Sequence, residues 1–153
     1  MTPTEYFNEV YQAFQIAEQR TSNSTERFFE IGGNHVRFRF AGSKLVSLIA
    51  PAFAHLSIEQ TSVPALTICL WDSESTQTDL PPRRWTAEAR QETGEIKVFC
   101  NDHIKVVEVN GTDSLILYDR ERRFGIYWKQ NISQFRSWEY ASPLRELLHL
   151  WTS

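Results

Sequence analysis

A reactive centre needs a nucleophile with a base, or a set of metal ligands, held at working distance, and this chain offers few such sets. The four histidines, His35, His55, His103 and His149, are widely spaced and form no H-x-x-x-H pair. There is no C-x-x-C run either, so no metal site is expected from spacing. Asp102-His103 is the one adjacent acid–imidazole pair, but neighbours on a strand point to opposite faces, so it reads as a turn. Cys69 and Cys100 lie in the apolar runs LTICLW and IKVFC. They read as buried free thiols, unreactive because burial raises a thiol pKa; a bridge between neighbouring strands is the other option. Ser73 and Ser75 follow a strand end in an acid-rich segment, Trp71-Asp72-Ser73-Glu74-Ser75-Thr76, which suits capping better than attack. No G-x-x-x-x-G-K-[ST] run exists, and Gly32-Gly33 lies between two strands, where no helix N-terminus follows to cradle a phosphate. No cofactor and no catalytic set are expected.

What remains is arginine and tryptophan. Arg83-Arg84 stands beside Trp85 in a long polar stretch, and Arg120-Glu121-Arg122-Arg123 stands between two strands. Such turns can simply be solvated and blunt the end of a sheet. They can also dock an acidic or phosphorylated partner, because the guanidinium fork binds such groups through two hydrogen bonds. Five tryptophans in 153 residues is a heavy load, and Trp and Arg are enriched at interface hot spots. Trp138 and Trp151, near the C-terminus, are expected to face another domain. The expected partner-binding set is therefore Arg83, Arg84, Trp85, Arg120, Arg122, Arg123, Trp138 and Trp151.

The composition narrows the classes. A net charge of -3 argues against a general nucleic-acid binder. The apolar runs are too short for a membrane-spanning helix. The opening MTPTEYFNEV lacks the basic and apolar regions of a secretory signal, so a cytoplasmic location is expected. A length of 153 residues suits one domain, 1–153, with one full core.

The elements that must carry these residues follow from periodicity. Phe7, Val10, Tyr11, Phe14 and Ala17 fall on one helical stripe within 3–20, capped by Thr2 or Thr4. Phe28 to Ile31, Gly32-Gly33-Asn34 and His35 to Phe40 read as a hairpin, with Val36, Phe38 and Phe40 inward and His35, Arg37 and Arg39 in water. A short helix follows Ser43, with Pro51 expected to end or kink it near Ala50. The unbroken apolar run Ala65 to Trp71 predicts a central strand. A meander is expected from Glu95, with a strand holding Ile96, Val98 and Cys100. A bulge is expected near Val106-Val107, a tight turn at Asn110-Gly111, and a last helix starting at Ser142-Pro143. The expected class is α+β, a mostly antiparallel sheet of about six or seven strands with N-terminal, short middle and C-terminal helices.

The segments FFEIGGNHVRFRFAG (28–42), PALTICLWDS (64–73), Asn101-Asp102, Leu117-Tyr118-Asp119, Ile126-Tyr127-Trp128 and SPLRELLHLW (142–151) together resemble the region before the kinase domain in bacterial HPr-serine-kinase-like proteins. The resemblance implies that the last helix leads toward a P-loop domain. The sequence holds no P-loop, so no catalytic residue carries over. The expectation is a non-catalytic accessory or regulatory domain that docks a kinase-type domain, another protein or a second copy of itself. A small-molecule-binding domain, with a pocket between the sheet and the N-terminal helix gated by the 72–87 loop, is the alternative.

Overall fold

The computed structural model describes residues 1–22, 24–60, 63–109, 113–134 and 144–152. Helix α1 (Pro3–Thr21) starts where Thr2 and Glu5 form a reciprocal capping box, with Pro3 in its first turn. Its stripe of Tyr6, Phe7, Val10, Ala13, Phe14 and Ala17 is buried against one face of a six-stranded sheet. Strands β1 (Ser24–Ile31) and β2 (Asn34–Ala41) form an antiparallel hairpin. Its two-residue turn puts Gly32 at φ 58° and Gly33 at φ 81°, a conformation that glycine adopts without strain. Helix α2 (Lys44–Phe53) then crosses the second face and returns the chain as β3 (Leu66–Asp72), parallel to β2. A four-residue helix α3 (Ser73–Thr76) follows directly. Strands β4 (Ile104–Val109), β5 (Ser114–Asp119) and β6 (Phe124–Lys129) form an antiparallel meander. Helix α4 (Arg145–Thr152) packs on the second face beside α2.

The strand order is β1-β2-β3-β6-β5-β4, with β2, β3 and β6 mutually parallel and the other pairs antiparallel. The α+β class and the antiparallel-rich sheet match the sequence expectation. The central place of the 65–71 run also holds: all seven residues of β3 are buried. A strand covered on both faces has no wet side, so it is apolar apart from Thr67 and the terminal Asp72, whose carboxylate caps α3.

Three local expectations fail, each for a physical reason. Residues 97–99 form a 3-10 turn, not a strand. The buried pair is Ile96 and Phe99, three apart, while Val98 is 60% exposed. The β4–β5 register runs unbroken from Ile104↔Asp119 to Val109↔Ser114, so there is no bulge. Val106 and Val107 are both buried because α1 covers one face and the α2–α4 layer covers the other. Pro51 lies inside α2 without ending it; Pro51 and Ser47 are both exposed, so the Ser47 carbonyl that loses its partner faces water. The expected wet face of β2 is also partly covered. Arg39 reaches up to α1, 2.8 Å from Glu18 and 3.2 Å from the Tyr11 hydroxyl. The Asn110-Gly111 turn and the Ser142-Pro143 helix start lie outside the described residues.

Candidate functional site

One end of the sheet gathers the β1–β2 turn, the starts of β2, β3, β6 and β4, and the β5–β6 turn. Asp119, at the end of β5 and only 2% exposed, builds that last turn. Its Oδ1 accepts hydrogen bonds from the backbone N–H groups of Glu121 (3.0 Å) and Arg122 (3.3 Å), and its Oδ2 accepts from Arg122 Nε at 2.5 Å. Burial alone would raise the Asp119 carboxyl, but these donors outweigh it and hold the group below the ordinary aspartate range. The turn is pinned again where the Arg120 N–H donates to the His103 carbonyl (2.8 Å) and the Thr67 N–H donates to the Arg123 carbonyl (3.1 Å).

This scaffold sends Arg122 one way and Arg120 and Arg123 another. Arg122 folds over α1, 3.1 Å from Asn8 Oδ1 and 4.8 Å above the Phe7 ring, so it serves as a staple. Arg120 and Arg123 are exposed, and among the described residues neither side chain has a hydrogen bond or an ion pair. They rim a groove of about 650 Å³ with Ile31, Gly32, Asn34, Ala65, Tyr118, Trp151 and Thr152. Burial pushes the Tyr118 phenol up against the opposing pull of Arg120 and Arg123. The sequence-expected residues Arg120, Arg123 and Trp151 therefore meet in one place.

Arg83, Arg84 and Trp85 do not join them. They lie toward the opposite end of the sheet and strap the 79–86 segment across α1 and β4. Arg83 lies 3.1 Å from Glu108 and 5.4 Å over the Trp128 ring, and Arg84 lies 3.4 Å from Glu9. The Trp85 indole donates to Glu108 at 3.1 Å, and its ring stands edge-on to Tyr6 at 5.4 Å. Trp138 lies outside the described residues. The pocket expected under α1 is filled: Tyr6, Phe7, Val10 and Phe14 are 0–1% exposed there.

The reactive side chains are committed to structure. Burial drives the Cys69 thiol far up, and it raises that of half-buried Cys100; both are free. Ser73 accepts from the Trp128 indole (2.8 Å), and Ser75 donates to Asp72 (2.6 Å), which caps α3. Among the described residues, no serine or cysteine is hydrogen-bonded to a histidine ring. A second hollow of about 360 Å³ lies at the carboxyl ends of β2 and β3, lined by Arg20, Ser43, Lys44, Ser75 and Gln77 among others. There Arg20 is already engaged by the Gln77 carbonyl and Thr78. His103 Nδ1 lies 3.7 Å from carboxylate oxygens of both Asp119 and Glu121, not against its neighbour Asp102. The strand register brings them together, and no local motif signals it.

Fold and site together define an α+β fold with a mixed sheet and an arginine-rimmed groove. No family model matches the chain, and no curated protein or solved structure matches it. The resemblance to HPr-serine-kinase-like proteins gains no support from them. Among the described residues, no helix is long and apolar enough to cross a membrane.

Proposed function

We propose that this chain is a non-catalytic recognition domain that takes an acidic segment of a protein partner into the groove between Arg120, Arg123 and Trp151. The observation that carries this reading is the pair of exposed arginines, without partners among the described residues, at the rim of a groove with an aromatic wall. A guanidinium that no internal carboxylate neutralises can present its full fork to a carboxylate or phosphate, and Trp151 with Ile31 offers the apolar contact that such forks lack. The chain as a whole is acidic, so this patch stands out as a local attractor. The partner suggested by the sequence resemblance is a kinase-type domain. A second reading, a small anionic ligand, is supported by the groove volume of about 650 Å³, within the usual range for such sites.

Titration of the full chain with acidic peptides carrying one aromatic residue, followed by fluorescence anisotropy, tests the proposal. Binding is expected to weaken at least ~10-fold when Arg120 and Arg123 are both changed to Glu, and to be little altered by Arg83→Glu. Loss of binding in Arg83→Glu, or none in the double variant, contradicts it. Thermal shift against small aromatic carboxylates and phosphates separates the second reading, since a ligand at a hundred times its Kd adds about 2.7 kcal/mol.

A further inference from the structure

His103 leads into β4 one residue before Ile104, which pairs with Asp119. The register therefore sets the imidazole against the β5–β6 turn. Its Nδ1 is buried and has no hydrogen-bond partner, yet it lies 3.7 Å from Asp119 Oδ1 and 3.7 Å from Glu121 Oε2. All three ligand atoms lie within 4.8 Å of one another. The 3.7 Å separations are too long for a hydrogen bond from Nδ1 to either oxygen, and one imidazole nitrogen beside two carboxylate oxygens is a donor set that suits a cation. A metal ion fits the gap better. With bonds of about 2.0–2.2 Å, the two 3.7 Å separations subtend roughly 115–135° at an ion, and a carboxylate pair as far apart as 4.8 Å must draw together to share it, a movement that falls to the exposed Glu121 side chain.

We propose that His103, Asp119 and Glu121 hold a divalent transition-metal ion, with Zn²⁺ the best match to one imidazole nitrogen and two carboxylate oxygens. Asp119 is fixed for the role by the Arg122 guanidinium on Oδ2 and by the two backbone N–H groups on Oδ1, contacts of the kind that orient a ligating carboxylate. Glu121, whose side chain is 75% exposed, is free to swing inward and complete the set. Bound metal would tie the start of β4 to the turn that carries Arg120 and Arg123. The inference stands on different side chains from the groove, so either can fail alone.

The test uses the full chain, stripped with chelator and titrated with Zn²⁺ by calorimetry and by thermal unfolding. One-to-one saturable binding is expected, with a Tm increase of roughly 5–10 °C at a hundred-fold excess over Kd. Glu121→Gln and His103→Gln should each weaken binding at least ~10-fold. Glu121→Gln alters an exposed side chain and should leave the metal-free Tm unchanged, which keeps the test clear of folding effects. The exposed His35–Glu30 pair, 3.8 Å apart, is the control, and His35→Gln should leave affinity unchanged. Equal affinity in the wild type, Glu121→Gln and His103→Gln would mean an adventitious ion only. Failure to saturate, or an equal response to Mg²⁺, would likewise overturn the proposal.

Discussion

Three arginines within four positions fall into two different surroundings, and a single carboxylate sorts them. Asp119 draws Arg122 inward and leaves Arg120 and Arg123 outside. The sequence displays the cluster but not this division, because the contacts that settle it are to Asn8 and Phe7, far away along the chain. Asp119→Asn should cost about 2 kcal/mol in chelator-containing buffer at pH 7, since the Arg122 fork and two backbone donors lose their charged acceptor. The sign with pH follows from its depressed carboxyl. Its stabilisation is full above the ordinary aspartate pKa of about 4 and is lost as pH falls below that, through the folded value. Urea unfolding of wild type and Asp119→Asn should therefore show a gap at pH 7 that narrows by pH 3. A gap that stays constant with pH contradicts the assignment.

At the scale of elements, what could be read ahead was whatever repeats. The α1 stripe, the Gly32-Gly33 hairpin and the unbroken apolar β3 each carry a period or a backbone demand within a few residues. The 79–99 segment carries neither. Its order comes from distant contacts: Trp85 edge-on to Tyr6, Ile96 N–H on the Val106 carbonyl (2.9 Å), and Glu108 N–H on the Gly94 carbonyl (2.9 Å). These contacts set the cost of changing it. Trp85→Ala should destabilise by about 2 kcal/mol, because a half-buried aromatic leaves a cavity against Tyr6 and Phe99. Arg84→Ala should cost under about 0.5 kcal/mol, since its pair with Glu9 is solvent-screened. Denaturant midpoints compare the two directly, and equal losses would contradict the packing account. Gly94 is stricter. It has φ 90°, and an added Cβ would lie 2.3 Å from the Glu108 carbonyl oxygen. Gly94→Ala should free the segment from the β4 edge, seen as faster hydrogen exchange at the Glu108 amide. Unchanged protection there would contradict this account.

Across the whole molecule, two helical layers on a mixed sheet explain why alternation failed as a guide in the later strands. All six residues of β5 are buried, and neighbouring Val106 and Val107 enter different cores. The same layering leaves the ends of the sheet as the places where side chains remain available. At the carboxyl ends of the parallel strands, Arg20 is tied to Gln77 and Thr78. At the amino ends, Arg120 and Arg123 are not tied to anything among the described residues. The sequence named both arginines and Trp151. It could not show that they meet, because Trp151 arrives on α4 and the arginines on a turn between strands. The claim that this meeting place is what the protein uses is tested most directly by two-dimensional ¹⁵N NMR of the full chain titrated with an acidic, aromatic-bearing peptide. The account predicts shifts at the amides of Gly32, Asn34, Ala65, Arg120 and Arg123 and at the Trp151 indole, fading as salt rises. Shifts centred on Arg83 to Trp85, or none anywhere, would contradict it.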